Sequence, residues 1–227
     1  MVLPSLGDLV AEKVHLRYGD TVALAGASAT IASGEIVAMV GPSGSGKSSL
    51  LYCLAGLIAP DSGEVRFAGT NLARLPDDER SDLRRSRFGF VFQFAELVPE
   101  LTLRENIALP LELNGVKRRE RVSRVDELVD RLGLADHAER RPSKVSGGQA
   151  QRAAVARAIA HRPSFLFADE PTGSLDSANG MVVLDLLLQL ANDDGAAVVI
   201  VTHDERVAAQ ADRVIRIADG RCGQAAS

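Results

Sequence analysis

The chain has 227 residues, 46% hydrophobic and 25% charged, enough to bury a proper core as one compact domain with an appended lobe. Its net charge of -4 and pI near 5.6 give no overall electrostatic case for binding nucleic acid, which needs a basic surface. The two cysteines, Cys53 and Cys222, lack metal-ligand spacing and a neighbouring pair, so no structural disulfide is expected, as suits a reducing cytosol.

Met1-Val2-Leu3-Pro4 lacks the basic start and sustained apolar stretch of a secretory signal. Alternation in Val14-Leu16-Tyr18 and in Ala27-Ala29-Ile31 predicts antiparallel strands, joined through Ser33-Gly34-Glu35 to the apolar run Ile36-Val37-Ala38-Met39-Val40. Gly41-Pro42-Ser43-Gly44-Ser45-Gly46-Lys47-Ser48 comes next, and Ser49-Leu50-Leu51-Tyr52-Cys53-Leu54 reads as the start of a helix. This is a G-x-x-x-x-G-K-S loop in its strand-loop-helix setting: backbone N–H groups wrap phosphates, Lys47 meets the terminal phosphates and the Ser48 hydroxyl reaches Mg2+. A plain linking turn has no need of these four agreeing positions. Gly41, Gly44 and Gly46 leave no side chain between a phosphate and the amides at the positive end of the helix.

Phe88-Gly89-Phe90-Val91-Phe92 reads as a strand ending at Gln93, and from there to about His161 the pattern turns helical. Thr102-Leu103-Arg104-Glu105 forms a capping box, and Gly133 and Pro142 punctuate the rest of this stretch. Lys117-Arg118-Arg119-Glu120-Arg121 leads into Val122, Val125, Leu128, Val129 and Leu132 at helical spacing, the pattern of a solvated face on an amphipathic helix. In Val145-Ser146-Gly147-Gly148-Gln149, succeeded by Ala150-Gln151-Arg152, the serine and glycines open a helix running through Gln151 to Ile159. They offer a hydroxyl and unobstructed amides to an anion.

Phe165-Leu166-Phe167-Ala168-Asp169-Glu170 is an apolar strand delivering two carboxylates to its end, a costly arrangement unless a cation waits there. Met181 to Leu190 is too short, and too broken by polar residues, to cross a membrane, so any membrane passage belongs to another chain. Strands at 36–40, 88–92, 165–169, 197–202 and 213–218 alternate with helical patterns. They predict an α/β fold with a mostly parallel sheet and a site at the carboxyl ends of its strands. Cys53 is expected in the core and Cys222 in a mobile polar tail.

Taken together, the phosphate loop, Val145-Ser146-Gly147-Gly148-Gln149 and the Asp169-Glu170 strand resemble the Walker A, signature and Walker B motifs of ATP-binding cassette (ABC) ATPases, with valine where the signature usually has leucine. A P-loop kinase would leave the signature segment without a role. The resemblance runs from Tyr18 to His203. It implies a single ABC ATPase domain, 1–227: a RecA-like P-loop NTPase core with an antiparallel β subdomain (1–92 and 162–227), and an inserted helical subdomain (93–161) carrying the signature.

The implied cofactors are ATP and Mg2+. Binding falls to Tyr18, stacking on adenine, to Gly41, Pro42, Ser43, Gly44, Ser45, Gly46, Lys47, Ser48 and Ser49, to Gln93, and to Ser146, Gly147, Gly148 and Gln149. The metal falls to Ser48, Gln93 and Asp169, the last through water. Glu170 polarises the attacking water, His203 contacts the γ-phosphate, and Lys47 completes the catalytic set. Pro171-Thr172-Gly173-Ser174-Leu175-Asp176 matches the D-loop at the seam of a head-to-tail dimer.

Phe92 to Ile107, with the D-loop, is similar to the branch containing lipoprotein-release, macrolide-export, cell-division and haem-export ATPases. That branch implies a separately encoded transmembrane permease, a peripheral position on the cytoplasmic face of the membrane, and efflux or extraction of a hydrophobic substrate such as haem, a drug, a peptide or a lipoprotein. The alternative is a soluble ABC ATPase acting on ribosomes or DNA, although the chain has neither tandem cassettes nor a long coiled-coil insert.

Overall fold

The computed structural model describes residues 7–223; the Met1–Pro4 segment read for a secretory signal lies outside them. In chain order the elements are β1 (Leu9–Tyr18), β2 (Thr21–Ile31), β3 (Ile36–Val40), α1 (Lys47–Leu54), β4 (Ser62–Phe67), β5 (Thr70–Asn71), α2 (Asp77–Arg87) and β6 (Phe88–Val91). Next come α3 (Leu103–Leu113), α4 (Arg118–Arg131), α5 (Gly147–Ile159), β7 (Phe165–Asp169), α6 (Ser177–Asp194), β8 (Ala197–Val201), α7 (Glu205–Ala208), β9 (Arg213–Ala218) and β10 (Arg221–Cys222).

Two sheets result: a four-stranded antiparallel one in the order β2-β1-β4-β5, and a six-stranded one in the order β10-β9-β3-β8-β7-β6. The larger sheet is parallel apart from its β10 edge, as the buried apolar runs of β3, β7 and β8 require. Strand alternation divides the interior in two. Leu166, Ala168, Val198 and Ile200 face a core built with α3, α4, α5 and α6. Phe165, Phe167, Val199 and Val201 face a second core, in which α1 lies between the two sheets. There Phe67, Phe88, Phe165 and Phe167 form an edge-to-face cluster with centroids 5.2 to 5.7 Å apart along its closest pairs.

The helix caps agree with the sequence. Thr102 accepts from the Glu105 amide and Glu105 accepts from the Thr102 amide; Ser146 and Gln149 repeat the box at α5.

Two expectations need correction. Cys222 does not sit in a mobile tail: it pairs with Ile217 across β10 and β9 and packs half-buried on the second core, because this short antiparallel edge folds the chain back along β9. On α4, Val122 is 48% exposed. The buried face instead includes Arg124, whose guanidinium donates to the carbonyls of Ile159 and Ala160 at the end of α5 and pairs with Asp194. A cation that satisfies free helix-end carbonyls and a carboxylate can be buried where an unpaired one could not.

Candidate functional site

The phosphate loop leaves β3 at Val40, and α1 begins at Lys47. Its backbone is one that only glycine serves at two positions: a Cβ on Gly41 would stand 2.0 Å from the Ile217 carbonyl oxygen, and one on Gly46, at φ 99°, would stand 2.3 Å from that of Ala23. The N-terminus of α1 has no side-chain cap, unlike those of α3, α5 and α6, so its first amides are left for an external anion. Inside the loop the buried Ser45 hydroxyl has no hydrogen-bond partner. Lys47, 9% exposed, folds its ammonium back onto the carbonyls of Gly41 at 3.0 Å and Pro42 at 2.8 Å. An uncapped helix start, an orphaned hydroxyl and a cation held by neutral carbonyls together make a cradle suited to a polyphosphate.

Asp169 ends β7 directly beneath this loop. Its Oδ1 accepts from the Ser48 hydroxyl at 3.0 Å and its Oδ2 from the Tyr52 hydroxyl at 2.7 Å. Burial and this bond to a carboxylate both raise the Tyr52 hydroxyl pKa, so Tyr52 remains a donor at any physiological pH. Tyr52 was not among the residues expected from the sequence. Its spacing of four from Ser48 on one helix was the available signal, since both then face the same way.

Among the described residues no group of three or more His, Cys, Asp or Glu side chains could hold a metal alone. The donor set nonetheless fits Mg2+, which takes one or two protein oxygens and completes its shell with phosphate oxygens and water. Gln93 makes no hydrogen bond to Ser48 or Asp169; its side chain lies along Gly173, where an added Cβ would be 3.1 Å from Nε2.

Glu170 comes next on the same strand end and adopts φ 48°, a left-handed conformation rare for a side-chain-bearing residue. Its amide donates to the Val201 carbonyl and its own carbonyl accepts from Gly173. The Glu170 carboxylate accepts from Nδ1 of His203 at 2.8 Å, which assigns the ring hydrogen to Nδ1, because an ionised carboxylate can only accept. Next to His203, Asp204 caps α7, and Arg206 holds its carboxyl down to about 2. Tyr18, at the end of β1, exposes 51% of its surface.

The signature segment sits elsewhere in the chain. Gly147 and Gly148 form the first turn of α5 and line a cavity of about 340 Å3 with Ser146, Ser174 and Asp176, none of which belongs to the phosphate loop. Asp176 caps α6, and the side chain and amide of Asn179 hold its carboxyl below the usual range. The chain thus brings Lys47, Ser48, Asp169, Glu170 and His203 together at the carboxyl ends of the neighbouring strands β3, β7 and β8, while Ser146, Gly147 and Gly148 line a separate cavity.

Known proteins resemble the chain over most of its length. The profile of the family described as ABC transporter matches residues 24–173. The chain is 46% identical to the probable syringafactin export ATP-binding/permease protein SyfD of Pseudomonas syringae pv. syringae over 88% of its length and 31% of the relative's. It is equally 46% identical to the lipoprotein-releasing system ATP-binding protein LolD of Novosphingobium aromaticivorans, over 87% of this chain and 88% of the relative. The chain spans about a third of the length of the ATP-binding/permease relatives it matches, 31% of SyfD and 34% of the Nitrosomonas europaea macrolide export protein MacB. Among solved structures, the dimeric post-hydrolysis state of the ATP-binding cassette MJ0796 bound to ADP and Pi superposes with a TM-score of 0.87 at 38% identity, covering 96% of this chain and 98% of that one. With the family profile spanning most of the fold and near-full-length relatives at this identity, the chain belongs to the ABC transporter family as an ATP-binding cassette.

Proposed function

We propose that the chain hydrolyses ATP in two sites shared between facing copies, and passes the closing and opening of that pair to a membrane permease on a separate chain. The observation that carries this reading is the pair Gly147 and Gly148. A Cβ on Gly148 would meet nothing within 4 Å, and one on Gly147 only the Leu175 side chain at 3.9 Å; neither residue has a positive φ. Nothing in the chain's own packing calls for glycine there, although glycine weakens a helix. An outside body that must approach the backbone closely does call for it. ATP on a second copy's phosphate loop is such a body, since the Ser146–Gln149 capping box uses the Gln149 amide and leaves those of Gly147 and Gly148 to donate to an anion.

Within each site, Lys47 would leave the Gly41 and Pro42 carbonyls for the β- and γ-phosphates, a stronger, charge-assisted pairing. Ser48 and Asp169 would hold Mg2+, with Gln93 reaching the same ion once its loop moves off Gly173. Bound there, Mg2+ would neutralise charge on the β- and γ-phosphate oxygens. Glu170, already oriented by its backbone turn and by His203, would accept hydrogen-bond donation from the attacking water and take its proton. His203 would turn its one ring N–H from Glu170 to the γ-phosphate once nucleotide is bound, and Tyr18 would offer an exposed ring to adenine. We assign residues 93–161 to a helical lobe, and 1–92 with 162–227 to the nucleotide-binding core.

A permease partner is supported by the names of the longer relatives, which join "ATP-binding" and "permease" on one chain. No helix among the described residues is long and apolar enough to cross a membrane. An apolar cavity of about 430 Å3 between α2, α3 and α5, lined by Leu57, Phe90, Leu113, Arg84, Arg85 and His161, would receive a cytoplasmic segment of that permease; Phe94, 65% exposed, stands directly after Gln93. The cargo would be hydrophobic, moved by efflux or extraction, and the cassette would sit peripherally on the cytoplasmic face.

Replacement of Gly148 by alanine tests the reading. The monomer should gain about 0.5 kcal/mol in unfolding free energy from the improved helix, while ATPase activity falls about tenfold because the methyl group stands between the partner's phosphate and the amides. Unchanged activity in Gly148→Ala would remove the main support for a shared site.

A further inference from the structure

Gln151 is 1% exposed and lies on α5, one turn beyond the signature. Its Nε2 donates to two carbonyls at once, Phe92 at 2.8 Å and Pro171 at 2.9 Å, so both amide hydrogens are used. Phe92 immediately precedes Gln93, and Pro171 comes directly after Glu170. Neither carbonyl belongs to a regular element: β6 ends at Val91 and β7 at Asp169. One buried amide therefore fixes the points from which the Gln93 loop and the Glu170 turn leave the sheet.

The Glu170 turn has particular need of such a fixture. Its left-handed backbone persists only if its surroundings over-determine it, and Pro171, lacking an N–H, cannot donate to hold it. Its other backbone ties are the Glu170 amide to Val201 and the Gly173 amide to Glu170, at 2.9 Å each, and its side chain is held by His203. Gly147 and Gln151 are four apart on one face of α5. The first faces Leu175 in the D-loop, and the second faces the carbonyls on either side of the two functional loops. The helix whose open first turn presents Gly148 outward thus grips the loops of its own chain on its inner face.

We propose that Gln151 is a positioning residue for Glu170: through its paired hydrogen bonds to Phe92 and Pro171 the signature helix sets the placement of Glu170, so that displacement of α5 is felt at the water-polarising carboxylate. This rests on Glu170 being the residue that takes the proton of the attacking water. Gln151→Met keeps the side chain's length and apolar packing but removes both donors. Glu170 should then be misplaced while the phosphate loop is untouched. The expected result is a kcat lowered at least tenfold, with fluorescent-ATP affinity within threefold of wild type. In the Glu170→Gln background, Gln151→Met should lower the residual rate by less than twofold, because a residue acting through Glu170 has nothing left to act on.

A normal kcat in folded Gln151→Met overturns the inference, as does a fall in kcat matched by an equal loss of ATP affinity. If Gln151→Met does not fold, exchange of the Gln151 side-chain amide protons is measured by NMR in the unaltered protein: strong protection supports the paired bonds, and rapid exchange overturns them. Glu170→Gln measured alone separates the two claims. Normal turnover in that variant defeats the role of Glu170, whereas an inactive Glu170→Gln beside a normal Gln151→Met defeats only the role of Gln151.

Discussion

Glu170→Gln is expected to lower ATP turnover by about 100- to 10,000-fold, the span that a positioned general base contributes, while ATP affinity changes by less than about threefold. The amide is the same size as the carboxylate, and its oxygen can still accept from Nδ1 of His203, so the 2.8 Å contact and the turn beneath it survive. What is lost is the capacity to take a proton from water. Binding and hydrolysis should separate cleanly, and ATP should accumulate uncleaved on the protein. Steady-state ATPase rates together with nucleotide titration check this. A variant that hydrolyses normally would show that another group activates the water, and a variant that no longer binds ATP would show that Glu170 supports the pocket itself.

Lys47→Ala should act on binding as well as rate. The ammonium is nearly buried and held by two neutral carbonyls, so it can be drawn away by the stronger charge-assisted partner that a phosphate provides. Hydrogen bonds to charged groups contribute about 1.5–3 kcal/mol, so ATP affinity should fall about 10- to 150-fold, with hydrolysis falling further. The variant also leaves the Gly41 and Pro42 carbonyls without their donor, and Lys47→Arg does not repair this, because a planar fork replaces a point charge in a loop built around close backbone approaches. Calorimetric titration with ATP reads the effect directly. Wild-type affinity in Lys47→Ala would mean that the amides alone carry the phosphates.

Much of this site is legible in the amino-acid sequence, for a physical reason. Strands buried on both faces, such as Phe165–Asp169 and Ala197–Val201, must be continuously apolar, and residues that hold phosphates must stand at their ends on glycine-rich turns. Helix α2 was not legible, because no residue of Asp77–Arg87 is fully buried and only Leu83 packs partly on the second core; its acidic first turn, its basic last turn and local pairs such as Arg85 with Asp82 support it, and it shows no apolar period. Strand β4 was missed because Glu64 and Arg66 alternate with Val65 and Phe67 over too short a stretch to stand out. Arg124 reads as solvent-facing in any pattern of hydrophobicity, since only the tertiary fold supplies the α5 carbonyls and Asp194 that allow its burial. The left-handed turn at Glu170 and the double donation by Gln151 are likewise products of assembly: residue type does not encode them, and they appear only when β6, β7 and α5 come together.

The claim on which the rest depends is that each ATP lies between the phosphate loop of one copy and the signature of another. Light scattering with nucleotide counting on Glu170→Gln, with and without Gly148→Asp, tests it most directly. Gly148 has room for a side chain within its own chain, so the added aspartate should leave the monomer folded and able to bind ATP. With ATP, Glu170→Gln should have twice the monomer mass and two bound nucleotides, and the doubly substituted protein should stay monomeric with one. A dimer that persists with Gly148→Asp, or a monomer that loses ATP because of it, would contradict the shared site.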